Sequence, residues 1–381
     1  MLVVMHNVGF GDCFWLCNSE ELLWVDCGSS AYPCHTFSMS DFSADLLNYS
    51  RRLFTKRTAI ITHFHHGHIS GFKHLAKNAG NSDSFERVFI PYLYFVNSSG
   101  KPLFLEMAVY AYTFFSKKSL SLKTASSILK HPSWLAEICN LSAVQCVSTG
   151  FTFNQAGNLF SVLWPDRCYS FDKFVEKVVQ VLNSATEDLA DFHEIKNAIT
   201  DRFNRWFISI SESEKDGAYL YELSEELSGL VRQLDELTVE WPNNVPLGKK
   251  DFGQLFTICN NSTSIVFHDS NRKILMNGDI TTDIIDKFLS SRYEKHYKAI
   301  KVQHHGTKSH YSSLLPSASN LLISTGVHKN YGKIAVDYKY HPYRWGNRWC
   351  SSGGQHCQIR DRGYVCTNGS CFSCMPIVLR I

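Results

Sequence analysis

Residues 61–71 read ITHFHHGHISG, with histidines at positions 63, 65, 66 and 68 and a glycine, Gly67, among them. Imidazoles at i, i+2 and i+5 cannot share a helix face, but they converge from a loop at the end of a strand. Three converging ring nitrogens suit zinc, manganese or iron. His63, His65 and His68 are therefore candidate metal ligands. His66 alternates away from His65 in an extended loop and reads as a hydrogen-bonding neighbour. The run holds no acid, so any carboxylate must come from elsewhere in the chain. Asp279 is the strongest candidate, because it follows an apolar run at a Gly-Asp break where an unpaired buried charge would be costly. Its alternative role is the N-cap of a helix over TTDIIDKF. His304 and His305 also follow an apolar run and precede Gly306. Asp12 and Asp26 stand beside glycines at strand ends. Turn and loop hydrogen bonding is the simpler role for both, and the favoured one for Asp26.

These residues need elements to hold them. Strand patterns cover 2–6 (LVVMH), 13–17 (CFWLC) and 22–25 (LLWV), with the glycine turn NVGFGD between the first two. A helix is predicted over about 40–52, with Phe42, Leu46, Leu47 and Leu53 on one side. The β-branched stretch 58–62 leads into the histidines, and a helix follows from near Ile69. That order places the cluster at the C-terminal end of a strand, where α/β architectures build their sites. Two strands with a turn are predicted within 145–164, and further strands at 263–267, 273–277, 299–303 and 321–325. A helix lies near 281–290.

Between 171 and 240 there are 16 acidic and 7 basic residues, a net charge of −9, with helical periodicity throughout. Leu220, Leu223, Leu227, Leu230, Leu234 and Leu237 form a heptad stripe, and Phe192, Ile195, Ile199, Phe203 and Trp206 form a second one. The segment 171–245 reads as a helical insertion, two antiparallel helices packed as a hairpin and set apart from the main domain. A protein-binding arm is the alternative. From 338 to 381 the chain is rich in Gly, Cys, Trp and Arg. Its thiols are spaced Cys350-x6-Cys357-x8-Cys366-x4-Cys371-x2-Cys374, and four of the five can form a structural zinc site. Free thiols or disulfides are the other reading. The other eight of the thirteen cysteines are scattered without a framework, as in a reducing compartment, which points to the cytoplasm. No apolar run reaches the roughly 18 residues needed to span a bilayer. The first residues read as mature protein, since they carry no basic leader or cleavage site. A formal net charge of +3 is too small to argue for nucleic acid by itself.

The ordered series NVGFGD, VDCG, THFHHGHISG, MNGDI and KVQHHGTKS closely resembles the metallo-β-lactamase fold superfamily. Its nearest likeness is the soluble domain of DNA-uptake channel (competence) proteins, and it covers about 1–97, 145–166 and 258–333. The resemblance implies an α/β fold of the αββα sandwich type over 1–337, interrupted by the helical insertion and extended by the cysteine-rich tail. It implies His63 and His65 as ligands of a first metal, and His68 and His304 of a second, with Asp279 bridging the two. His305 is the less favoured choice for the second site. Asp12 matches an acid of that pattern and would orient the metal shell, while Asn7 replaces another. Lys333 stands where the pattern has a histidine, with His341 slightly later. Gly67 is the main departure: the pattern has there an aspartate that binds the second metal.

The function implied is metal-dependent hydrolysis, with one or two zinc ions, or manganese, activating water. Asp279, His68, Asp12 and Lys333 would be the catalytic residues, and Lys308, Lys333 and His341 would bind anions. Phosphodiesters, DNA in particular, come first as substrates. Residues 339–381 carry 6 basic residues against 1 acidic, interleaved with aromatics including Tyr340, Tyr343, Trp345 and Trp349 that can stack on bases. The alternative is a catalytically impaired member of the same fold that binds a partner through its helical insertion.

Overall fold

The residues of Cys13–Cys17 are all buried, as are those of Glu21–Cys27 except Glu21 itself. Runs this apolar suit strands covered on both faces, and period-two alternation then sorts the side chains. Trp15, Leu22 and Trp24 join an apolar cluster shared with helices, whereas Phe14, Leu16, Leu23 and Val25 join a second cluster shared with another sheet.

The computed structural model describes the chain except residues 31–37, 78–83, 94, 96–101, 117–118, 213, 238, 243–244, 246, 272, 326–333, 336, 341–344 and 352–375. The first sheet contains β1 (Leu2–Met5), β2 (Cys13–Cys17), β3 (Glu21–Cys27), β4 (Lys56–Ile60), β5 (Arg87–Pro91) and β6 (Val144–Val147). The second contains β7 (Thr152–Gln155), β8 (Asn158–Trp164), β9 (Val266–Asp269), β10 (Ile274–Asn277), β11 (His296–Lys301), β12 (Ser317–Ile323) and β13 (Trp345–Cys350). The final strand, β14 (Ile377–Arg380), returns to the first sheet beside β1. The orders are β14-β1-β2-β3-β4-β5-β6 and β13-β12-β11-β10-β9-β8-β7.

Both sheets follow one plan. Three antiparallel pairings, from β14 to β3, precede three parallel ones, from β3 to β6. The second sheet repeats this from β7 to β10 and from β10 to β13. Side chains of both sheets, among them Phe14, Phe89, Phe160 and Met276, share the central cluster. The outer face of the second sheet is covered by α10 of the chain, Thr282–Ile284, and the π-helical turn Ile285–Leu289, through Ile284, Ile285 and Leu289.

The outer face of the first sheet carries α1 (Met39–Leu53), α2 (His66–Ala76), α3 (Leu103–Phe114), α4 (Leu120–Leu129) and α5 (His131–Ala136). The same apolar cluster includes α6 (Lys173–Ala185), α7 (Ala190–Ser209), α8 (Gly217–Glu236) and α9 (Lys249–Ser262). Among the described residues the 171–245 segment forms three helices, α6, α7 and α8, where two were expected, and α7 and α8 pack on each other along the two expected stripes. Their apolar side chains also run into the helical layer of the sheet. The His131 ring lies 4.8 Å from Trp206 and 5.5 Å from Phe203, and the Tyr112 hydroxyl donates to Asp235 at 2.6 Å. The segment is thus tied to the first sheet by buried contacts. Among the described residues, no helix is long and apolar enough to cross a membrane.

Candidate metal centre

Each side chain of the histidine cluster is placed by the end of an element. β4 stops at Ile60, and an extended loop carries His63 and His65. Helix α2 opens at His66, three residues before the sequence pattern suggests, so His68 lies in its first turn. The backbone supports this loop from both sides: Ile265 N–H donates to Thr62 O at 2.9 Å, and Ile61 N–H to Phe89 O at 2.9 Å. Phe64, between the two histidines, is fully buried with its ring 4.9 Å from His131. Anchored this way, alternation turns His63 and His65 together toward Asp279.

Asp279 follows β10, and its N–H donates to Ser264 Oγ at 3.2 Å. His63 Nε2 is 3.8 Å from Asp279 Oδ2 and 3.0 Å from His65 Nδ1. Two nitrogens bound tetrahedrally to one ion, with bonds of about 2.0–2.1 Å, lie about 3.3 Å apart. The arrangement is therefore near that of a shared ion. His65 Nε2 is buried with no hydrogen-bond partner, and burial pushes the ring's pKa down to about 3, leaving it neutral. A neutral imidazole is the form a metal needs. His63, His65 and Asp279 form one buried group whose donor atoms could hold a metal ion.

Asp12, His68, Asp279 and His305 form a second such group, and it shares Asp279 with the first. Asp12 brings a second carboxylate to this group from another loop. Asp12 enters just ahead of β2, and its N–H donates to Gly67 O at 3.0 Å. Two glycines make this approach feasible. A Cβ on Gly11 would lie 2.1 Å from Gly28 O, and one on Gly28 would lie 2.6 Å from backbone atoms of Gly67 and His68. The second group is completed by His305 and not by His304, which the sequence pattern favours. β11 ends at Lys301, two residues short of the expected strand. A turn with three consecutive positive φ values, 43° at His304, 57° at His305 and 75° at Gly306, then re-aims both rings. Such values are uncommon outside glycine and cluster at functional sites. His305 Nε2 faces Asp279 Oδ2 at 3.4 Å, while its Nδ1 bonds Ser324 O at 2.7 Å. His304 Nδ1 lies 3.4 Å from Asp279 Oδ2 and 3.2 Å from Asn261 Nδ2, and its ring stacks on His310 at 3.7 Å. With its side chain 21 % exposed, His304 is the member of the cluster nearest solvent.

Asp26 serves the cluster from behind, in keeping with the hydrogen-bonding role read for it. Its carboxylate accepts from Thr62 N at 2.7 Å, Thr62 Oγ1 at 2.6 Å and His68 Nδ1 at 2.7 Å. That leaves His68 Nε2 facing Asp279 Oδ2 at 3.1 Å. Burial works against a charge on His68, but Asp279, Asp26 and Asp12 outweigh it and push its pKa up to about 10. Burial likewise opposes ionisation of Asp279, yet His305, His68, His304 and Lys301 hold it well below the usual carboxylate range. A divalent ion bound at His68 would take the place of its proton.

Lys301 was not singled out in the sequence, although it begins the KVQHHGT motif. Its Nζ pairs with Asp12 Oδ2 and lies 3.5 Å from Asp279 Oδ1. His66 stands apart, half buried, with Lys123 and Lys73 as its charged neighbours. Of the other expected site residues, Cys350 ends β13 among apolar side chains of the second sheet. Lys333, His341, Cys357, Cys366, Cys371 and Cys374 lie outside the described residues. No protein-family model matches the chain, and no curated protein is significantly similar to it.

Proposed function

We propose that this chain is a metal-dependent hydrolase of the metallo-β-lactamase fold superfamily, acting on phosphodiesters, with DNA the first candidate. The observation that carries the reading is Asp279: one buried carboxylate belongs to two groups of metal donors, one with His63 and His65 and one with Asp12, His68 and His305. Support also comes from the placement of these donors at the ends of β4, β10 and β11, between two sheets. The nitrogen and oxygen donors suit zinc, with manganese the alternative. A bound ion supplies Lewis acidity and a water acidified towards neutral pH. The chain's own residues do the rest. Thr62 and Asp26 fix the rings of His63 and His68, and the buried carboxylates keep the donor set anionic. His304, part exposed and held neutral because burial pushes its pKa well down, is placed to meet a substrate.

The phosphodiester assignment draws on the motif resemblance and on the basic, aromatic composition of 339–381. The test is hydrolysis of single- and double-stranded DNA and of a small phosphodiester by the chelator-stripped chain, with zinc or manganese restored. Activity that returns with metal and is lost in Asp279→Asn and His63→Ala supports the reading. Metal binding without hydrolysis of any of these would favour the second reading, a partner-binding member of the fold, which the glycine at 67 supports.

A further inference from the structure

We propose that Lys301 is a built-in cation standing in for a second metal ion, so that the resting centre binds one divalent ion, at His63, His65 and Asp279. The inference rests on the metal-dependent reading above and adds the number and place of the ions.

Lys301 is the last residue of β11 and is 2 % exposed. Its ammonium group touches Asp12 and lies 3.5 Å from both Asp279 Oδ1 and Gly278 O. Asp12 and Asp279 are the two carboxylates of the second donor group. The ammonium therefore neutralises the anionic half of that group, which is what an ion there would otherwise do. An ammonium this deeply buried is tolerated only where it is paired, and here the pairing is with metal donors.

Charge balance points the same way. Asp12, Asp26 and Asp279 are buried carboxylates in contact with the cluster, and Lys301 is the buried cation among them. The three carboxylates and Lys301 sum to a charge of −2, or −1 with a proton on His68, so one divalent ion brings the cluster close to neutrality. Two divalent ions beside Lys301 would leave an excess of at least two positive charges among buried groups, where like charges repel strongly. Gly67 fits this account, since an acid there would give the second ion the charge compensation it lacks.

The experiment is metal stoichiometry. The full chain is stripped with chelator, titrated with zinc and separately with manganese, and counted by native mass spectrometry and calorimetry. Thermal melts confirm that each variant folds. The expected result is one tightly bound ion in the wild type and in Lys301→Arg, and two in Lys301→Gln and Lys301→Met. Two tight ions in the wild type, or a single ion in a folded Lys301→Gln chain, would overturn the inference while leaving the hydrolase reading in place. If both neutral variants fail to fold, the wild-type count decides: one ion upholds the inference and two overturn it. A wild-type chain that binds no ion would remove the inference and the hydrolase reading together.

Discussion

The Asp26 carboxylate takes three hydrogen bonds, from Thr62 N, Thr62 Oγ1 and His68 Nδ1, on a backbone at φ 54°. Partners that orient a metal-binding imidazole typically matter by about 10–100-fold in metal affinity. Asp26→Ala is therefore expected to weaken metal binding by about that factor, measured by competition with a chelator. Gly28 and Gly67 make a sharper contrast. Gly28→Ala drives a Cβ to 2.6 Å from backbone that cannot yield, so the folded state should be lost or the His68 turn displaced. A Cβ on Gly67, in a helical first turn, comes nearest to Ser30 Oγ at 3.2 Å, with Gly11 Cα and Phe10 O at an ordinary 3.6 Å. Gly67→Ala should thus change stability by no more than about 1 kcal/mol, read from thermal melts. At this scale much of the site was legible in the sequence. His63, His65, His68 and Asp279 announce themselves by residue type and strand-end placement. Lys301 did not, because a lysine ending a strand resembles any solvated one until its burial is seen. His305, the less favoured choice beside His304, joins the second donor group, and that choice depends on a left-handed turn that the residue types do not specify.

Helices α7 and α8 show what periodicity can and cannot convey. The stripes at 192–206 and 220–237 give the helices and their mutual packing. The residues that turn towards α5 are of the same apolar types, so the sequence does not separate a free-standing pair from one fused to a sheet. The chain of contact Phe64–His131–Trp206 links α7 to the loop between His63 and His65. Deleting 171–245 is accordingly expected to abolish folding or metal binding, as checked by circular dichroism and metal titration. Soluble, metal-loaded protein from that deletion would contradict the contact. Trp206→Ala, which empties a fully buried site, should cost about 3–5 kcal/mol in denaturant unfolding. The strands around the site were legible because both their faces are buried and their runs are apolar. Helix α9, within the stretch KKDFGQLFTICNNS, was not read. Its apolar residues are few and mixed with polar ones, and only its packing on α3 and α4 fixes it.

On the scale of the whole molecule, two sheets of the same plan meet face to face and the donors lie between their ends. That architecture also buries imidazoles with no role in metal binding. Burial pushes His6 and His131 down to about 3 from 6.5, so both are neutral in the folded chain. Between pH 6.5 and about 3 the unfolded chain binds protons that the folded chain does not. Stability is then complete above pH 6.5 and lost as pH falls, by up to about 1.4 kcal/mol per pH unit for each group. Melting temperature should fall accordingly from pH 7 to pH 5, and the fall should be shallower in His131→Leu. A melting temperature that rose over that range would contradict the buried neutral state. The metal centre itself is tested most directly by diffraction from crystals grown with zinc, with data collected on both sides of the zinc absorption edge. The expected result is an anomalous peak within bonding distance of His63, His65 and Asp279. Crystals that show the ordered cluster with no peak there, at saturating zinc, would contradict the account.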